Sequence, residues 1–112
     1  MQIPLQITVR HMAHSAALDT RIREDAAKLE EFYRGIISCH VVVEEQGQHR
    51  QQGRWFNVRI GVHVPGHELT VNRDHDEDVY VALRDAFASL ARRLEDIARR
   101  QRGQVKKHES TG

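Results

Sequence analysis

Two hydrophobic periods alternate along this chain, and their order is the strongest constraint on its fold. Ile3, Leu5, Ile7 and Val9 alternate with polar residues, the period of two that marks a half-buried strand. Pro4 lacks an N–H, which suits a strand start or a sheet edge. Leu18, Ile22, Ala26, Leu29 and Tyr33 then recur at helical spacing, with Phe32 beside them and charged residues between. Ser15 is the expected N-cap, and Arg34-Gly35 the expected stop. Period two returns in Ile37, Cys39, Val41 and Val43, and again in Phe56, Val58, Ile60, Val62 and Val64. A polar, glycine-bounded loop, Glu45–Gly53, separates the two runs. Pro65-Gly66 fits the centre of a type II turn, because Pro presets φ and Gly accepts φ > 0. Leu69 and Val71 then belong to a hairpin partner. Val79, Leu83, Phe87, Leu90, Leu94 and Ile97 form the last apolar stripe, which predicts a helix ending at Gly103. Asp74 or Asp76 is its expected N-cap, and the other acids of Asp74–Asp78 sit at the positive end of its dipole.

The order is therefore β-α-β-β-β-α. Each strand has one apolar face and each helix one apolar stripe. The economical packing is an α+β domain, a four-stranded sheet with two helices on one face and a wet face opposite. A chain of 112 residues holds a single core. Residues 1–103 make that domain, and residues 104–112, polar and without period, read as a flexible tail.

Several classes fall away. No apolar run reaches the roughly 18 residues that a membrane-spanning helix needs. The N-terminus has no basic segment followed by an apolar one, so no secretory signal is expected. Cys39 is the single cysteine, which excludes an internal disulfide framework and a multi-cysteine zinc site and points to a reducing cytoplasm. Cys39 falls on the inward side of its strand, as a buried thiol and not a nucleophile. The pairs His11/His14 and His63/His67 lie in a loop and across a turn, without the convergence a metal site requires. The acids of Asp74–Asp78 lack the glycine and terminal Glu of a calcium loop. No phosphate-binding loop, dinucleotide fingerprint or nucleophile elbow is present, so no enzyme, cofactor or small-molecule substrate is expected. Trp55 is exposed by alternation; it can stack on a base, cover a helix end or join a subunit contact.

Charge is informative only by position. The net charge is +1, from 17 Lys and Arg against 16 Asp and Glu. Arg92 to His108 carries seven cations against Glu95 and Asp96, whereas residues 1–91 are net negative. Arginine forks match phosphate oxygens, so this segment can hold a nucleic acid through phosphate contacts. It can also be a solvated helix face, with Glu95–Arg99 and Arg92–Asp96 paired along the helix and the cations favouring its C-terminal dipole. Charge alone leaves both readings open.

Four short motifs resemble one family. Ala26-Ala-Lys-Leu-Glu30, followed by Phe32, resembles the end of the first helix in the ribosome hibernation-promoting factors, also called ribosome-associated inhibitor A or sigma-54 modulation proteins. Ile37-Ser-Cys-His-Val-Val-Val43 is similar to the second strand of that family. Asp78-Val-Tyr80 is similar to its Asp-Met-Tyr helix start, and Leu90-Ala-Arg-Arg-Leu94 to its Leu-x-Arg-Gln-Leu stretch. The match is collinear over about residues 2–102, and order and spacing carry it more than any single motif.

The resemblance implies an α-β sandwich like that of double-stranded-RNA-binding domains. It implies a cytoplasmic stress-response factor, not an enzyme, that binds 16S rRNA of the small ribosomal subunit at the subunit interface. Translation is then silenced by occupancy of the mRNA and tRNA sites, on 70S or 100S ribosomes. The expected rRNA-binding set is Lys28, Arg84, Arg92, Arg93, Arg99, Arg100 and Arg102, with Tyr80 as the structural residue of the helix-start motif. Asp19 and Asp25 stand where family members often carry Arg, and Ser89 and Asp96 at commonly basic places. The loop Glu45–Arg54 and the join Asn72–Glu77 also differ. These departures shift the expected RNA face toward the arginines from Arg92 to Arg102. The alternative is a protein-interaction module, or a homodimer through an exposed strand edge or the wet sheet face, without ribosome binding. A histidine-based metal enzyme is the remotest reading.

Overall fold

The computed structural model describes residues 4–46, 55–75 and 78–111. The elements follow the expected order: β1 Leu5–Arg10, α1 Ala16–Phe32, β2 Ser38–Glu45, β3 Phe56–Val64, β4 His67–His75 and α2 Val79–Thr111. They form one sheet with strands in sequence order, β1-β2-β3-β4. β1 runs parallel to β2, with Ile7 opposite Val41, and α1 is the crossover that such a pair requires. β2, β3 and β4 are antiparallel, with Val41 opposite Ile60 and Ile60 opposite Val71. The fold is α+β with a mixed sheet.

The core forms where the two periods meet. Val41, Val43, Val58, Ile60, Val62 and Val64 point from the sheet into a layer closed by Leu18, Ile22 and Leu29 of α1 and Leu83, Leu90 and Leu94 of α2, all buried. Cys39 is buried among them, Leu69 and Val71 face inward, and no polar or charged residue among those described is buried. The inward residues of β1 are the exception. Leu5, Ile7 and Val9 are only half-buried, because β1 is an edge strand.

Local chemistry sets most boundaries. The Ser15 Oγ accepts a hydrogen bond from the Leu18 N–H at 3.1 Å and starts α1. Val64 and His67 pair across the Pro65-Gly66 turn, where Gly66 has φ of 82°, the left-handed value expected of the second turn position.

Three boundaries differ from expectation. α1 ends at Phe32, capped by Tyr33 in an extended conformation at φ −152°, so the chain leaves the helix before it reaches Gly35. Asp78, not Asp74 or Asp76, caps α2: its carboxylate accepts from the Tyr80 N–H at 2.9 Å. Asp74 instead extends β4 and accepts from the Asn57 amide across the sheet; Asp76 lies outside the described residues. α2 passes through Gly103 and runs to Thr111. A glycine inside a helix costs about 1 kcal/mol, which weakens a helix without stopping it. Of the loop expected over Glu45–Gly53, Glu45 still belongs to β2 and pairs with Phe56, and residues 47–53 lie outside the described residues.

At 1.5 Å per residue α2 is about 50 Å long, against about 30 Å for a nine-residue strand. The helix therefore overshoots the sheet, and the molecule measures 62 × 28 × 17 Å. Ile97 is the last buried residue described on α2; Arg99 to Arg102 are exposed.

Candidate nucleic-acid interface

A polyanion needs cations whose charge is not already neutralised within the protein. On that criterion the two helices differ. α1 carries five acids against three cations. Its arginines are paired along the helix: Arg21 with Asp25 at 3.2 Å and Arg23 with Asp19 at 2.7 Å. The Arg23 hydrogen bond holds the Asp19 carboxyl below its ordinary range; His14, 3.2 Å away, adds to the effect and partial burial opposes it. Lys28 is the cation of α1 left exposed with no ion pair among the described residues. α2 carries six cations against three acids over residues 79–102.

The structure separates the arginines of α2. Positions seven apart share a line on a helix, and so do positions eighteen apart. Arg92 and Arg99 lie along the outermost line. Arg93 and Arg100 lie along the flank above β4, and Arg84 and Arg102 along the flank nearer α1. Their chemical states differ as well. Arg93 donates to the Thr70 carbonyl at 3.0 Å, which ties it to β4. Arg84 meets Asp85 at 3.2 Å, and Arg99 meets Asp96 at 3.5 Å, where Glu95 was the expected partner. Arg92, Arg100 and Arg102 are exposed and have no ion pair or hydrogen bond among the described residues. The expected set is therefore two exposed phosphate-competent groups, Lys28 on α1 and Arg92, Arg100 and Arg102 on α2, with Arg84, Arg93 and Arg99 partly engaged.

Two further arginines belong to this surface. Arg21 stacks over the Tyr80 ring at 5.8 Å, which joins the two helix starts and gives Tyr80 its structural contact. Arg73 reaches from β4 to the Ser89 hydroxyl at 3.2 Å. Extending the alternation Leu69, Val71 by one step places Arg73 on the helix side. No comparable local signal reveals Arg21, because its partner is far away in the chain.

The opposite sheet face has no Phe, Tyr or Trp among the described residues. Its described side chains include Gln6, Thr8, His40, Arg59, His63, Glu68 and Asn72. Trp55 is 43% exposed, but it precedes β3 at the end where both helices begin, away from the α2 overshoot. Base stacking by Trp55 beside the basic segment is therefore not supported by this placement. His11 faces Glu44 at 3.5 Å and His14 faces Asp19, so the two imidazoles serve separate carboxylates. No group of three or more His, Cys, Asp or Glu among the described residues can hold a metal ion. Burial pushes the Cys39 thiol up to about 11, which keeps it protonated and unreactive at neutral pH. No helix among the described residues is long and apolar enough to cross a membrane.

The model of the family described as sigma 54 modulation protein / S30EA ribosomal protein matches residues 5–102. The N-terminal domain of Protein Y from Thermus thermophilus superposes with a TM-score of 0.71 at 22% identity, covering 87% of this chain and 99% of that one. A ribosomal subunit interface protein from Coxiella burnetii superposes with a TM-score of 0.74 at 17% identity, covering 86% and 98%. At these identities the likeness is one of fold. No curated protein sequence matches the chain.

Proposed function

Because the chain belongs to the sigma 54 modulation protein / S30EA ribosomal protein family, we propose that it is a cytoplasmic, ribosome-associated translation inhibitor that binds 16S rRNA of the small subunit by occupancy, without catalysis. Family membership supports the ribosome-associated role. The finer reading rests on one observation: Arg92, Arg100 and Arg102 of α2 have no ion pair or hydrogen bond among the described residues and stand on and beyond the packed body. A helix that overshoots its sheet can enter a groove or a channel that the body cannot. Free arginines along it can replace the counterions of several phosphates. A-form RNA is recognised mainly through shape and backbone contacts, which is the chemistry this surface offers.

In this reading Arg92, Arg100 and Arg102 contact phosphates, Lys28 adds a contact from α1, and Arg84 and Arg99 contribute by exchanging an intramolecular acid for RNA. Arg93 acts first as a tie to β4. Its contribution to RNA binding is therefore the smallest of the set. The domain spans residues 1–103, and the remainder of α2 extends the basic helix. Occupancy of the subunit interface would block the mRNA and tRNA sites of the ribosome.

The test is cosedimentation with 30S and 70S particles at several salt concentrations. The wild type is expected to pellet with ribosomes at low salt. Arg92→Glu with Arg100→Glu is expected to lose at least about tenfold in affinity, with a shallower salt dependence. Unchanged association of that variant overturns the assignment of the surface. No association of the wild type overturns the function.

A further inference from the structure

The two edges of the sheet are finished differently. On β4 the Arg93 guanidinium takes up the Thr70 carbonyl at 3.0 Å, and Arg73 is tied to Ser89 at 3.2 Å, so α2 is stapled over that edge. Covering an edge in this way blocks the addition of another strand. On β1, no side chain among the described residues bonds to the strand's outer backbone groups.

The direction of those groups follows from one bond. The Cys39 N–H donates to the Pro4 carbonyl at 3.0 Å. In a parallel ladder this turns the N–H and C=O groups of Gln6 and Thr8 toward β2, and those of Leu5, Ile7 and Val9 outward. The same three residues carry the half-buried side chains of the helix-facing side, whereas Val41 and Val43 beside them on β2 are fully buried. Unpaired backbone groups and incompletely covered apolar side chains thus coincide on one strand.

We infer that the β1 edge pairs with the β1 edge of a second copy of this chain, antiparallel and centred on Ile7. A two-fold axis there sets Ile7 opposite Ile7 of the second copy, and Leu5 opposite its Val9. Each of these pairs can exchange two backbone hydrogen bonds, because every residue in them points its N–H and C=O outward. All their side chains lie on the helix side, so the pairing completes the burial of Leu5, Ile7 and Val9. On the wet face the same register sets Gln6 opposite Thr8, two polar groups. A shift of one residue sets outward-facing residues against β2-facing ones and loses both the bonds and the facial match.

This pairing is independent of ribosome binding and is tested on the protein alone.

The experiment is sedimentation equilibrium together with amide hydrogen exchange, from about 20 µM to about 1 mM protein, the range in which a weak dimer forms. The mass is expected to rise toward that of two chains. Exchange at the Leu5, Ile7 and Val9 amides is expected to slow at least about tenfold, with no change along β4. Gln6→Lys with Thr8→Lys crowds four ammonium groups on the axis and is expected to leave a folded monomer, verified by its circular dichroism. A monomer at the highest concentration overturns the inference. So does a dimer whose protection falls on β4, or slowed β1 exchange only when an unrelated protein is added.

Discussion

α1 and α2 cover the same sheet face, bury apolar stripes in one core and touch through Arg21 and Tyr80, yet their charges are arranged in opposite ways. On α1, Arg21 and Arg23 each have a carboxylate four residues away, and the helix is acidic overall. On α2, Arg92, Arg100 and Arg102 have no such partner among the described residues, and the helix extends beyond the core that shaped it. The difference teaches that a cation count is a poor guide to polyanion binding. What matters is how many cations are left unneutralised, and whether they stand where a ligand can reach them.

The helices share one core but not one charge pattern. The largest effect is expected in the core they share. Leu29→Ala on α1 and Leu90→Ala on α2, both fully enclosed, should each cost about 2–5 kcal/mol of stability in urea or thermal unfolding. A cost below about 1 kcal/mol for either would show that the helices do not share one core.

The next effect separates the helices. Removing the α2 cations Arg92 and Arg100 should lower the salt slope of ribosome binding by about two, while Arg23→Gln on α1 should leave it nearly unchanged. Equal losses would mean that the paired arginines of α1 also release their acids to bind RNA. A smaller effect compares the two N-caps. Ser15→Ala and Asp78→Ala should each destabilise by about 1 kcal/mol in unfolding experiments, since each removes an acceptor from a helix start.

The smallest concerns Asp19. Its folded-state carboxyl lies below the ordinary value of 3.8, chiefly through the Arg23 hydrogen bond. A depressed carboxyl pKa stabilises the fold above the unfolded-state value and loses that contribution as pH falls through the folded-state value. The melting temperature of wild type should therefore exceed that of Asp19→Asn slightly at neutral pH, and the gap should close on acidification below about pH 3.8. A gap that stays constant to lower pH would assign the effect of Asp19 to packing.

Much of the fold was legible because its signals are local. Alternation identified all four strands, including the inward positions of Cys39, Leu69 and Val71, and the Pro65-Gly66 turn announced its hairpin. The errors were local competitions that spacing cannot arbitrate. Three aspartates near the start of α2 can each cap a helix, and β4 claimed Asp74 by pairing it across the sheet with Asn57. A glycine can end a helix or merely weaken it, and Gly103 does the second. The candidate site was legible only as a cluster of arginines. Their partners could be guessed within one helix and still be misassigned, as with Arg99 and Asp96.

The chain's own pattern determined the element order, the two-layer packing and the concentration of arginine toward the end of α2. These follow from side chains three, four or two residues apart, whose geometry is settled once the backbone type is chosen. Tertiary structure decided where β1 lies: parallel to β2, at an open edge, with its outward backbone groups beside apolar side chains that α1 only half covers. It also decided which arginines are engaged, because Arg93 is held by Thr70 and Arg73 by Ser89 across elements distant in the chain. Such contacts depend on the relative placement of whole elements, which no local period encodes.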